Sequence, residues 1–137
     1  MNRRIAVAVL LCAAICASIA ACDAGQITKS VSIAGIGNAR HGKQLIRSYG
    51  CGACHMIPGI GDARGKVGPP LFYLSDRTMI AGEIPNTPEN LTHWIEHPRD
   101  VEPKTAMPEL GVTPSDAYDI AAYLYTLKGP EGTSWID

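Results

Sequence analysis

Five consecutive residues, Cys51-Gly52-Ala53-Cys54-His55, carry the chemistry that the rest of the chain must serve. Two thiols three positions apart can add to vinyl groups on neighbouring pyrroles of one porphyrin. The next residue is then held under the iron, where an imidazole nitrogen can bind it, so the run reads as covalent c-type haem attachment. A bare C-x-x-C pair also serves as half of a zinc site or as a thioredoxin-like redox pair. Zinc needs two further ligands, and no second cysteine pair follows Cys54. A thioredoxin-like pair needs a strand–helix setting that the residues before Cys51 do not supply. His55, directly after the second cysteine, tilts the reading to haem.

An iron that only carries electrons needs a second strong-field ligand opposite His55. Met56, Met79, Met107, His41, His93 and His97 are the candidates. Met56 is adjacent to His55 and cannot reach across the porphyrin. Met107 follows a helix and a loop over 98–106 long enough to cross the haem edge, and Pro108 stiffens its backbone. A thioether suits ferrous iron, so a His/Met pair raises the reduction potential. His93 and His97 flank Trp94 at i and i+4, a spacing that can bind a surface metal; they read instead as part of a polar helix face.

The elements that position these residues are helices. Gly42, Leu45, Ile46 and Tyr49 recur at i, i+3, i+4 and i+7, which predicts a helix over 39–49. Gly42 on that face costs roughly 1 kcal/mol relative to Ala, which makes sense where another helix crosses closely. Residues 56–86 are rich in Gly and Pro and read as irregular, with Gly68-Pro69-Pro70-Leu71 extended and rigid. Thr87-Pro88-Glu89 opens a second helix with a cap, a proline and an acid, its apolar face Leu91, Trp94 and Ile95, and Pro98 stops it. Thr113-Pro114-Ser115-Asp116 opens the last helix in the same way. Its buried face is Ala117, Ile120, Ala121 and Leu124, and Gly129-Pro130 ends it. No strand is expected, so the class is all-α.

At 137 residues the chain has room for one domain. Apolar residues make up 46%, but many lie in the first 22 positions, and with aromatics at 6% a buried flat cofactor would supply much of the core. The formal charge of −1 becomes −3 without Arg3 and Arg4, which argues against nucleic-acid binding. Arg3-Arg4 followed by apolar and small residues to Ala21 reads as an export signal over 1–21. Of five cysteines, Cys12 and Cys16 lie in that signal and two in the haem motif. Cys22 is left at the cleavage point, where Ile19-Ala20-Ala21-Cys22 resembles a bacterial lipobox and predicts lipidation. Residues 22–38 read as a flexible tether, 39–129 as the domain and 130–137 as a tail.

Over residues 39–129 the order and spacing of these features resemble a class I monohaem cytochrome c. Within that family, the chain is especially similar to small bacterial cytochromes and to the cytochrome domains of some haem–copper oxidase subunit II proteins. The resemblance is carried by residues 42–49, the Cys51–His55 motif, 68–71, Arg77, 91–98, Thr105-Ala106-Met107-Pro108 and 116–127. It implies the cytochrome c fold, three to four helices and loops wrapped around one haem c held by Cys51 and Cys54, with His55 and Met107 as iron ligands. It also implies that the Pro69 carbonyl accepts from the His55 ring, that Arg77 and Thr105 bind haem propionates, and that Trp94 packs against the haem near Met107.

The function implied is single-electron transfer, not catalysis. The carrier would sit on the periplasmic side of a bacterial inner membrane, lipid-anchored at Cys22 and monomeric. Its partners would be a quinol-oxidising complex or dehydrogenase as donor and an oxidase or reductase as acceptor. The lysine ring of eukaryotic members is absent, so apolar contacts such as Ala53, Met56, Ile57 and Ala106 are expected to share in docking. Two alternatives stand beside this: an accessory redox subunit of a larger enzyme, and a haem-based gas sensor or peroxidase with an open sixth iron position.

Overall fold

The computed structural model describes residues 35–129. The expected export signal, the lipidation site Cys22, most of the tether and the tail lie outside the described residues. Four helices are present among the described residues: α1 (Ala39–Ser48), α2 (Pro88–Glu96), α3 (Pro98–Val101) and α4 (Pro114–Leu124), with 3-10 turns at Cys51–Ala53 and Leu74–Asp76. The fold is mostly helical, as expected. No helix among the described residues is long and apolar enough to cross a membrane.

Local chemistry sets the helix ends. Asn38 caps α1, its side chain accepting from the N–H groups of Arg40 and His41. Thr87 caps α2 by accepting from Asn90 N–H at 3.2 Å, and Thr113 caps α4 by accepting from Asp116 N–H at 3.2 Å. In both helices proline takes the first position, where its missing N–H leaves nothing unpaired. α4 ends at Leu124, before Gly129, and the chain continues in turns.

The crossing of α1 and α4 closes the domain. A Cβ on Gly42 would lie 1.8 Å from the Asp119 carbonyl oxygen, so the two backbones touch there. Ile46, Ala117, Ile120 and Ala121 fill the space beside that contact and are buried. Two carboxylates of α4 fasten α1 from outside. Asp119 accepts from Asn38 N–H at 2.6 Å and pairs with His41 Nδ1 at 2.7 Å, while Asp116 accepts from the Tyr49 hydroxyl at 2.7 Å. That last bond holds the Tyr49 phenol above its ordinary pKa. Ile36, within the expected tether, packs against the core, and Gly37 abuts the Tyr118 carbonyl.

Two elements differ from the sequence expectation. Met79–Ile80 pairs antiparallel with Ile84–Pro85, a two-residue ladder in a segment read as irregular. Ala81 and Gly82 turn between them with φ of 55° and 78°, and two residues a side are too few to show alternation. Pro98 does end α2, but it also begins α3, because proline is at home in a first helical turn.

Candidate haem-binding site

α1 delivers the chain to the C-x-x-C-H motif, and Gly50, at φ 72°, turns it into the 3-10 turn of Cys51–Ala53. Cys54 N–H and His55 N–H both donate to the Cys51 carbonyl, at 3.2 and 3.0 Å. The two thiols therefore sit on one tight turn, both free and both half-buried. Burial pushes the Cys51 thiol above its ordinary pKa.

The loop after the motif folds back and grips it. Gly65 N–H donates to the Gly52 carbonyl at 3.0 Å, and Gly68 N–H donates to that of Cys54 at 2.9 Å. Each of these glycines leaves no room for a side chain. A Cβ on Gly52 would meet Ala63 at 2.8 Å, and one on Gly65 would lie 2.4 Å from the Cys54 carbonyl carbon. At Gly68 the obstruction is the His55 ring itself, with Cε1 2.3 Å away. The bare backbone of Gly68 is thus the wall on which the imidazole rests. Pro69 then presents its carbonyl to His55 Nδ1 at 2.7 Å. A carbonyl only accepts, so Nδ1 carries the proton, and Nε2 has no partner among the described residues.

The residues expected opposite His55 are less enclosed. Met107 is half-buried between exposed Ala106 and Pro108, and its N–H donates to the Thr105 hydroxyl oxygen at 3.2 Å. That hydroxyl keeps its own proton to give to another acceptor. Trp94 is partly buried against the core, and its indole N–H has no partner among the described residues. Arg77 donates to the carbonyls of Pro70 and Phe72, and burial holds its guanidinium below the usual range. Met79 is exposed on its strand, beside a cleft of Phe72, Tyr73, Asp76, Arg77 and Gly82. Ile57, expected among exposed docking contacts, is 2% exposed and belongs to the core, because Ile60, Ala63 and the 56–64 bridge fold over it.

Asn86 matters more than its sequence context suggests. Its amide nitrogen donates to the carbonyls of Leu74 and Arg77, at 2.8 and 2.9 Å, and its oxygen accepts from the Tyr125 hydroxyl at 2.8 Å. One side chain therefore ties the Arg77 loop to the chain leaving α4. Asn86 stands directly before a helix cap, and that position masked its role. Tyr123, with its hydroxyl donating to the Pro58 carbonyl at 2.6 Å, fixes the motif loop from the same helix.

These residues fit a covalently bound porphyrin. Two unjoined thiols share one turn, the following imidazole has one nitrogen committed and the other free, and a glycine leaves the ring its place. The comparisons agree. The Cytochrome c family model matches residues 39–128. Cytochrome c2 of Rhodopila globiformis is 36% identical over 106 residues, covering 67% of this chain and 95% of that protein. Cytochrome c oxidase subunit 2 of Alkalihalophilus pseudofirmus is 33% identical over 91 residues, and that of Bacillus subtilis is 29% identical over 99. Those matches cover 66% and 70% of this chain but only 26% and 27% of the two oxidase subunits. No solved structure matches the chain. With its turn of two thiols and a histidine, and with the family model matching it over residues 39–128, the chain belongs to the cytochrome c family and binds one haem c covalently through Cys51 and Cys54.

Proposed function

We propose that the protein is a membrane-tethered electron carrier whose iron is held between His55 and Met107. Haem-based electron transfer follows from the family, and the ligands, the tether and the partners are proposed beyond it. One observation carries it. His55 Nδ1 is committed to the Pro69 carbonyl and the ring is backed by Gly68, which leaves Nε2 as the nitrogen presented to a metal. A bond to Nδ1–H also raises the basicity of the ligating nitrogen and fixes its tautomer.

When bound, haem supplies a one-electron ferric/ferrous couple. The chain's own residues position and tune it. Met107 supplies a soft thioether that favours ferrous iron and raises the potential. Pro108 limits the backbone freedom behind it. The Thr105 O–H and the Arg77 guanidinium would be donors for the propionates, and Trp94 would pack beside the porphyrin. No substrate bond is broken.

Cys22 carries the lipid that holds the carrier on the periplasmic side of a bacterial inner membrane, and confinement there raises its effective concentration at a membrane partner. Two relatives named as cytochrome c oxidase subunit 2 support an oxidase as acceptor. The donor is a quinol-oxidising complex or a dehydrogenase. The test is oxidation of the reduced holoprotein by oxidase-containing membranes, for the full chain and for Cys22→Ser. Fast single-electron oxidation, with Cys22→Ser released to the soluble fraction and slower to react, is expected. Failure of the oxidase to oxidise the carrier overturns the acceptor, and membrane retention of Cys22→Ser overturns the lipid anchor.

A further inference from the structure

His93 on the outward face of α2 and His97, the residue that caps its C-terminal end, form a pair that the haem site does not use. His93 and His97 are both exposed, and the His97 N–H donates to the His93 carbonyl at 2.8 Å, so the last hydrogen bond of α2 closes between them. Their rings lie side by side, with centroids 5.7 Å apart and planes tilted by 56°. No ring nitrogen of either has a hydrogen-bond partner among the described residues. The geometry points to a surface site for a borderline divalent transition-metal ion, with Cu²⁺ preferred, chelated by His93 and His97.

The distances carry this. A metal bound to an imidazole nitrogen at 2.0–2.1 Å lies about 3.2 Å from that ring's centre. Two such rings 5.7 Å apart subtend an angle of about 125° at a shared ion, and closing them by about 1 Å brings it near 90–100°. Two exposed imidazoles make that adjustment by side-chain rotation alone. Helical zinc motifs also use histidines at i and i+4; here the second of the pair is the helix's cap residue. Among the described residues no third His, Cys, Asp or Glu joins them in a metal-holding group. The site is therefore a two-point chelate, with its remaining positions open to water. Such a site selects by affinity alone, and imidazole nitrogen ranks Cu²⁺ above Ni²⁺ and Zn²⁺.

This assigns the spacing a role that its polar setting obscures. Trp94, between the two histidines in sequence, is turned towards the core, so the ion would lie on the opposite side of the helix from the packed face.

The probe is Cu²⁺ itself, titrated into the ferric holoprotein of the full chain, with binding read by calorimetry and coordination by electron paramagnetic resonance. One saturable equivalent with nitrogen hyperfine structure is expected, and Zn²⁺ should bind more weakly. His93→Gln or His97→Gln alone should weaken binding by about tenfold or more, because each ring supplies the other's effective concentration. The haem spectrum and the melting temperature should not move, and His41→Gln should bind copper as the parent does. Copper retained by the His93→Gln/His97→Gln double variant overturns the site, as does the absence of saturable binding in the parent.

Discussion

The two sides of the cofactor site are built differently. On the side of His55 the backbone does nearly everything: Gly65 and Gly68 clamp the motif, Gly68 backs the ring, and the Pro69 carbonyl orients it. On the side of Met107 the methionine sits half-buried in an exposed loop, with one hydrogen bond to Thr105. The first side is fixed before any ligand bond forms. The second would take its final order from the ligand bond proposed for it. A redox centre would gain from this division, because the covalent end must be ready for attachment while the ligand proposed on the far side needs only to be within reach.

Substitutions can break or sharpen that contrast. Gly68→Ala should act most strongly, since its methyl would lie 2.3 Å from the His55 ring. We expect a loss of about 3 kcal/mol in stability and a severalfold lower yield of holoprotein, measured by denaturant melting and haem content. Parent-like stability would mean that the His55 side is not pre-built. Asn86→Ala tests a third loop. Removing the amide strands two carbonyls and the Tyr125 hydroxyl, which should cost about 2 kcal/mol by the same measurement. Thr105→Val removes the acceptor for Met107 N–H and should cost about 1 kcal/mol. A cost as large as that of Gly68→Ala would show the Met107 side to be as pre-organised as the other.

Alkaline pH should produce the smallest effect at first and then a steady one. Tyr49 is raised by its bond to Asp116, and Tyr123 and Tyr125 are raised by burial. A phenol with a raised folded-state pKa stabilises the fold fully below its ordinary value, about 10, and loses that contribution as pH climbs through the raised value. Melting temperature should therefore fall above pH about 10, and Tyr49→Phe should flatten part of that fall.

Much of this was legible in the sequence where one residue's chemistry decides the structure alone. Thr87-Pro88 and Thr113-Pro114 announce helix starts because cap and proline act within a few residues. Gly42 announces a close helix crossing because nothing else explains a glycine on an apolar face, and Asp119 is found against it. Cooperative features were hidden. The Gly68 wall depends on where His55 lies, and the Asn86 clasp joins residues 74, 77 and 125, which no local pattern connects. The Met79–Pro85 ladder is too short to leave a period. Tyr123 was hidden for another reason: it reads as one more apolar helix residue, yet its hydroxyl reaches Pro58.

The central claim is that His55 and Met107 close both faces of the iron. The visible absorption spectrum of the holoprotein, ferric and ferrous, with carbon monoxide added, tests it most directly. A low-spin spectrum with a weak ferric sulfur-to-iron band, unmoved by carbon monoxide, is predicted. The band should vanish in Met107→Ala and survive in Met79→Ala. A high-spin ferric spectrum, or ready carbon monoxide binding by the parent, would contradict the claim and leave the iron open for a sensor or a peroxidase.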